Sequence, residues 1–594
     1  MSSSSSPSKL TTINTSINEF QSPTNSFRDN ELKWNGWGYI HSNFELSPEN
    51  GHFYMKSKKY ADLDGKPLPG LRPWVEKNLG IDVGLRTPSI SIQSLQIPSP
   101  LISNPQFLEF LRLEDIYYSD APLTRLARSH GQTLAEIISI RTGKVGRIPD
   151  LVIWPRNEKQ ILKIIEGAKQ FEALLIPIGG GTCVSQALLC PESSQKLICS
   201  IDMGMMSSIL NLDVKNMTAT VQATRASGMK KNKYGNIEDL ILSVRICTSR
   251  GILQPRRLGQ VPRLSSGPDL LQILLGSEGQ MGVISEATIK IFPMPEQRCF
   301  GAIIFPDFES GVNFFRAVAL KRWQPASLRL VDNAQFQMGQ AMRVQEGHIT
   351  SAIWQSLARV YLTRWKGFKP DQMVATTCVF EGTAEEVQTE RQRLFTLATT
   401  FGGIRAPDEN GQFGYRLTFA IAYLRDLALD LNVIGESFET SVPWSKVLNL
   451  CKNVKTLLIH EARKRGIEQH ILATCRVTQV YDSGVCVYFY YAFNYRRMDV
   501  LKALEIYEHI ESAAREEILA CGGSISHHHG IGKIRKRWLP TTIGPLGVSL
   551  MESLRSQLDP ENLFNSGNLI ENSSSSQTLQ ILKNKIEEKE KSKL

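Results

Sequence analysis

Three adjacent histidines, His527, His528 and His529, stand in the run Ser524-Ile525-Ser526-His527-His528-His529-Gly530-Ile531-Gly532-Lys533. The chain has ten histidines in 594 residues, so three in succession mark a place where proton chemistry can be done. An unperturbed imidazole, with a pKa of about 6.5, gives and takes protons near neutral pH. The glycines at 530 and 532 allow a tight backbone turn that presents neighbouring rings to a pocket. A metal-binding tract is the competing reading. Adjacent imidazoles on an extended strand point to opposite faces and converge poorly on one ion, so no metal site is expected.

A second chemistry is written in glycine. Pro177-Ile178-Gly179-Gly180-Gly181-Thr182-Cys183 closes an apolar run, and Gly276-Ser277-Glu278-Gly279-Gln280-Met281-Gly282-Val283-Ile284 precedes an alternating one. Residues without Cβ let backbone amides approach and curl around phosphate oxygens. Neither stretch is a GxGxxG fingerprint or a Walker A loop, and a tight structural turn reads the same. Two such loops in one chain suggest one extended, phosphate-bearing ligand, a nucleotide cofactor.

The elements that must position these residues follow the same grammar. The run at 148–155 is an apolar strand bounded by prolines. The spacing of Ile161, Ile164, Ile165 and Ala168 predicts a helix over 158–171, and 173–178 is a second strand ending in the glycine triplet. Strand, helix, strand and glycine loop is the order of an α/β cofactor domain. Residues 285–292 form a further strand, and 445–465 and 501–520 have helical apolar spacing.

Composition excludes several classes. Hydrophobic content of 42% and charged content of 21% fit a folded protein, no run is long enough for a membrane span, and residues 1–30 lack an apolar signal core. The ten cysteines are scattered without a CxxC pair, which favours reduced thiols. Net charge is +10, dispersed except near Lys230-Lys231-Asn232-Lys233 and Lys533 to Arg537, with neither motif nor stripe for nucleic acid. An anionic small substrate is as economical, and solvated charge is the plainer reading of Lys533, Arg535 and Arg537. The terminal Ser592-Lys593-Leu594, behind a low-complexity stretch at 573–576, is the peroxisomal import address.

The glycine loops, the histidine triplet, Thr224-Arg225-Ala226-Ser227-Gly228 and the closing Leu558-Asp559-Pro560-Glu561-Asn562-Leu563-Phe564 together resemble one family, the alkyldihydroxyacetonephosphate synthases. These are flavoenzymes of ether-lipid synthesis in the vanillyl-alcohol oxidase superfamily. The stretches 325–333, 423–427, 435–440 and 475–478 match as well. The resemblance implies an α+β fold: a FAD-binding domain of two α+β subdomains and a cap domain. Residues 1–30 read as a disordered start, and 31–147 are expected to be a region wrapping the flavin domain. The resemblance further implies 148–295 for that domain, 296–525 for the cap, 526–571 for a segment completing the site, and 572–594 for a flexible tail. FAD would bind at Pro177, Ile178, Gly179, Gly180, Gly181, Thr182 and Cys183, at Thr224, Arg225, Ala226 and Ser227, and at Glu278, Gly279, Gln280, Met281, Gly282, Val283 and Ile284.

The implied reaction replaces the acyl group of acyl-dihydroxyacetone phosphate by a long-chain fatty alcohol, using FAD without net redox change. Tyr488, in Cys486-Val487-Tyr488-Phe489-Tyr490, matches the family's proton-transferring tyrosine. Tyr490 and Tyr491 leave a plain aromatic strand as its alternative reading. His527, His528 and His529 match the essential histidine cluster, and Arg425 matches the substrate-binding arginine, with a pair to Asp426 as its alternative. Arg329 matches a family arginine and is expected to be structural support. A homodimer, peripheral membrane contact and an import receptor for the C-terminal tripeptide are the expected partners. A FAD-dependent hydroxy-acid oxidase or dehydrogenase of the same superfamily, or an inactive form, are the alternatives.

One departure stands out. Relatives pass from the strand matching 219–223 through a helix and a flavin-binding loop before the Thr-Arg-Ala-Ser motif, whereas here Ala223 is followed directly by Thr224. Losing a helix and a ligand loop from a packed domain predicts apolar surface left unburied and a flavin partly uncradled.

Overall fold

The computed structural model describes residues 27–61, 63–222, 228, 230–255, 261, 264–344 and 360–570. The region 224–227, the junction before it and the tripeptide Ser592-Lys593-Leu594 lie outside the described residues. A small antiparallel sheet comes first, formed by β1 (Ser42–Leu46), β2 (Phe53–Ser57) and β3 (Pro67–Leu68). It packs against the helix Tyr423–Asp430, with Phe53, Met55 and Leu71 meeting Tyr423 and Leu427 in one apolar cluster.

Two sheets build the glycine-loop half. The first has β4 (Tyr117–Ser119), β5 (Leu151–Trp154), β6 (Leu174–Ile178) and β7 (Ile198–Asp202) in the order β4-β5-β7-β6, with β7 parallel to both β5 and β6. All-buried β5 and β7 explain their unbroken apolar sequence. The helix Glu158–Gln170 is capped by Asn157, whose side chain accepts from the Gln160 amide, and buries Ile161, Ile164, Ile165 and Ala168 as the spacing predicts. The second sheet is antiparallel, with β8 (Ile209–Asp213), β9 (Thr218–Gln222), β10 (Ile241–Thr248), β11 (Gly251–Leu253) and β12 (Val283–Lys290) in the order β11-β10-β12-β9-β8.

The fourth sheet carries Tyr488. Seven strands, β13 (Gln297–Phe305), β14 (Ser327–Val331), β15 (Val374–Gly382), β16 (Ile404–Ala406), β17 (Val433–Pro443), β18 (Ile471–Val480) and β19 (Gly484–Asn494), run in the order β16-β13-β15-β14-β18-β19-β17. The helices Val447–Lys464 and Val500–Ala520, both within two residues of the sequence expectation, cover one face. Alternation along β19 decides which face does what. Val487, Phe489, Tyr491 and Phe493 enter the main core, so Cys486, Tyr488 and Tyr490 stand on the opposite face. Register then fixes the neighbours: Tyr488 pairs with Glu439 of β17 on one side and with Arg476 of β18 on the other. Val331 of β14 pairs with Arg476, which puts Arg329, two residues away, on the same face.

Candidate active site

The histidine segment reaches this face because Glu439 holds it there. The Glu439 side chain is fully buried, and its two oxygens accept from the Ser526 hydroxyl (2.7 Å) and from the amides of His527 (2.6 Å), His528 (3.2 Å) and His529 (2.9 Å). Burial opposes ionisation. His529, His528 and the Ser526 hydroxyl outweigh it and hold this carboxyl far below its usual range. Arg515 ties the backbone on both sides, donating from Nη1 to the carbonyls of Glu439 (2.7 Å) and Ile525 (2.8 Å). The triplet therefore wraps a carboxylate instead of running extended.

That wrapping overturns the argument that neighbouring imidazoles diverge. His527 and His528 turn their Nδ1 atoms to within 2.8 Å of each other. Ligand atoms of Glu439, Cys486, His527 and His528 all lie within 4.8 Å of one another. The Glu439 oxygens are taken by four donors, and burial pushes the Cys486 thiol up to about 12, so hydrogen bonding is the chemistry this group is set up for.

Tyr488 lies at the focus. Its hydroxyl oxygen is 2.6 Å from His528 Nε2 and 3.3 Å from His529 Nε2. Burial, with Tyr490 nearby, raises this phenol well above its ordinary value, so it rests protonated. Burial also draws the imidazoles down, His527 to about 4 and His529 to about 3, and lowers His528. Neutral rings beside a protonated phenol can accept its proton.

The Arg476 guanidinium lies 5.0 Å from the Tyr488 ring centre and 4.9 Å from that of Tyr490. Arg329, itself buried, is drawn down to about 10 by burial and by Arg476. Among the described residues neither arginine has a carboxylate within ion-pairing distance, and Nε of each is buried without a partner. Two like charges on one buried face call for an anion.

Arg425 is placed differently. It donates to the Gln132 carbonyl (2.6 Å), the Gln132 side chain (2.8 Å) and Glu436 (3.1 Å), and lies 3.6 Å from Asp426. Glu436 is three residues from Glu439 on β17, hence on the opposite face of the strand. Only Nε of Arg425 lacks a partner among the described residues. Lys533 and Arg535, read in the sequence as solvated charges, are instead built in. Lys533 donates to Gln186, Ala187 and Asn568, and Arg535 to the carbonyls of Val184 and Gly530.

The two glycine loops meet beside the triplet. A Cβ on Gly279 would lie 3.3 Å from Pro177 Cδ. Glu278 accepts from the amides of Ile531 (2.6 Å) and Gly532 (2.7 Å), and any side chain at Gly530 (φ +86°) would strike it. Gln280 donates to the Phe564 carbonyl and the Ser566 hydroxyl. Met281 and Val283 fill apolar clusters, Ile284 packs beside Met281, and Cys183 packs near Ile178. Sequence reasoning missed Glu439, Arg476 and Arg515. An acid interrupting the apolar pattern of Phe438-Glu439-Thr440 was the available signal for the first.

Comparison with known proteins adds the family. Residues 149–224 match the FAD binding domain family, and 294–569 match the C-terminal domain of FAD linked oxidases. An alkyldihydroxyacetonephosphate synthase of Caenorhabditis elegans is 50% identical over 581 residues, covering 92% of this chain and 96% of the relative. The chain belongs to the alkyldihydroxyacetonephosphate synthase family. The Dictyostelium discoideum synthase is 26% identical, with 91% of this chain and 93% of the relative covered. A solved alkyldihydroxyacetonephosphate synthase superposes with a TM-score of 0.76 at 24% identity, over 91% of this chain and 99% of that one. FAD is the cofactor.

The residues of this synthase-family chain fit FAD at two loops. Gly179 and Gly276 have nothing within 4 Å of where a Cβ would stand, leaving backbone open to a ligand. The 177–182 loop also leaves the carboxyl end of β6, where open parallel sheets bind nucleotides. The third stretch, Thr224, Arg225, Ala226 and Ser227, lies outside the described residues. On and just after edge strand β8, Ile209 is 66%, Leu212 57% and Val214 67% exposed. The worm alignment of 581 residues exceeds 92% of 594, so the relative carries residues that this chain lacks.

Proposed function

We propose that this chain exchanges the fatty acyl group of acyl-dihydroxyacetone phosphate for a long-chain fatty alcohol, yielding the ether and a fatty acid. FAD, when bound, supplies an electrophilic centre that protein side chains lack. The chain's own residues bind and move protons. Arg329 and Arg476 hold the phosphate, and Arg425, paired with Gln132 and Glu436, braces the site from the sheet edge. As the Tyr488 oxygen takes the proton from the carbon bearing the ester, its own proton passes to His528 Nε2. A resting phenolate is then never needed, which suits a buried phenol. The reverse transfer returns a proton to the carbon after the alcohol has added.

The observation that carries this reading is the Tyr488 hydroxyl held between His528 and His529, above two arginines without carboxylate partners among the described residues. Ether formation from labelled fatty alcohol and acyl-dihydroxyacetone phosphate is the test, run beside oxygen uptake with hydroxy acids. Oxygen uptake without ether would make the chain an oxidase of the same superfamily. A sample without yellow absorbance and inert in both assays would make it a flavin-free relative. Peroxisomal import through Ser592-Lys593-Leu594, a homodimer and peripheral membrane contact belong to the same reading. No helix among the described residues is long and apolar enough to cross a membrane.

A further inference from the structure

His130 stands in the connection between the helices Pro122–Leu126 and Leu134–Arg141 and is only 7% exposed. Its Nδ1 lies 2.7 Å from the Gly131 carbonyl. A carbonyl only accepts, so the ring proton sits on Nδ1 and Nε2 carries a lone pair. That lone pair is buried and meets no donor among the described residues. Burial draws the imidazole down and keeps it neutral, with the charges of Arg28 and Arg425 adding to it and the Gly131 carbonyl and Glu136 opposing. A bare, buried acceptor costs free energy until something donates to it.

The surroundings say where a donor would come from. Residues 130–132 are stapled to the end of the 177–183 glycine loop. The Gln132 amide donates to the Cys183 carbonyl (2.7 Å), and a Cβ on Gly131 would strike Cys183. On its other side Gln132 takes Arg425, Nη1 on its carbonyl (2.6 Å) and Nη2 on its side-chain oxygen (2.8 Å). Glu136 stiffens the turn by accepting from the Gly131 amide (2.8 Å), the Thr133 amide (3.1 Å) and the Thr133 hydroxyl (2.7 Å). Arg28, the other cation beside His130, donates to the Gly179 carbonyl (2.8 Å). His130 thus sits on a bracket bonded at one end to the glycine loop and at the other to the helix Tyr423–Asp430.

We infer that His130 Nε2 accepts a hydrogen bond from a ribityl hydroxyl of FAD. With its diphosphate on the glycine loop and its ring before Tyr488, the cofactor crosses this gap by its ribityl chain, which is rich in hydroxyl donors. The diphosphate itself offers only acceptors and cannot satisfy a lone pair. His130 is then a cofactor-binding residue, and it selects for a donor at a point where the glycine loop has none to offer.

The test is FAD binding to the full chain, titrated by quenching of flavin fluorescence with neither substrate present. His130→Leu removes the acceptor and should weaken FAD binding by roughly tenfold or more. His130→Gln returns an acceptor at the far end of the side chain and should stay within about threefold of wild type. Melting of the FAD-free chain separates this role from a structural one. His130→Leu deletes an unsatisfied acceptor, so the FAD-free variant should melt no lower than wild type, while the rise in melting temperature on adding FAD shrinks. The absorbance maxima of the bound flavin should not move, because the ribityl chain lies outside the chromophore. Equal FAD affinity in wild type and His130→Leu overturns the inference, as does failure of the wild-type chain to take up FAD. A moved maximum in His130→Leu overturns it as well, by putting the flavin ring at His130. Should His130→Leu fold poorly, His130→Ala reads the same loss. Ether formation is not among these readouts, so failure of the proposed reaction leaves the result standing.

Discussion

The sheet face around Tyr488 and the edge strand β8 of the glycine-loop half differ in how their positions are enforced. Tyr488, Glu439 and Arg476 share one rung across three hydrogen-bonded strands, and Glu439 alone orders three consecutive amides of the histidine segment. Among the described residues strand β8 pairs only with β9, and Ile209, Leu212 and, just after it, Val214 are exposed. The first region is over-determined by register and a buried charge, and the second is an apolar edge that nothing among the described residues covers. The geometry around Tyr488 is thus fixed by strands paired on both sides, while the departure from the family follows β9, whose neighbour β8 is the exposed edge.

The strongest break in that comparison is Tyr488→Phe. Loss of a proton-transferring group costs about 10²–10⁴-fold, so ether formation should fall by about 10³-fold, with flavin content read by absorbance unchanged. Next is Glu439→Gln, which places an amide donor against backbone donors and removes the charge they share. Stability should drop by about 3 kcal/mol in urea denaturation, and ether formation should fall by about 10²-fold as the histidines lose their places.

Arg476→Leu should act on binding more than on chemistry. KM for the phosphate-bearing substrate should rise by about ten- to a hundredfold with a smaller change in kcat, as expected for a desolvated charge contact.

A pH series sharpens the histidine side. The pKa of His529 is depressed to about 3 from an ordinary 6.5. Between those values the unfolded chain binds a proton at 529 that the folded chain refuses. This contribution to stability is therefore complete above pH 6.5 and is lost as pH falls, by up to about 1.4 kcal/mol per pH unit. Urea midpoints from pH 7 to 5 should fall less steeply in His529→Asn than in the wild-type chain. The smallest effect belongs to the bare edge: Leu212→Lys should change folding stability by less than about 0.5 kcal/mol and should reduce aggregation, measured by light scattering on heating.

Much of this was legible in the chain. Periodicity marked the helices Glu158–Gln170, Val447–Lys464 and Val500–Ala520 nearly to the residue, because each has one apolar face that must be buried. The histidine triplet and the glycine loops announced themselves by composition. Glu439 and Arg476 did not, because their roles come from register between strands far apart in sequence, which no local pattern encodes. The divergence argued for neighbouring imidazoles failed for the same reason, since a carboxylate from a distant strand bends the backbone that carries them. Lys533 and Arg535 read as surface charge because the carbonyls they meet, near 184–187, belong to another part of the chain.

The central claim is that Tyr488 and His528 move the proton of the carbon bearing the ester. Deuterium exchange at that carbon, measured by mass spectrometry for FAD-loaded wild type and Tyr488→Phe in deuterated water before any alcohol is added, tests it most directly. The account predicts incorporation in the wild-type sample and at least about a hundredfold slower incorporation in the variant. Equal incorporation in both would contradict it.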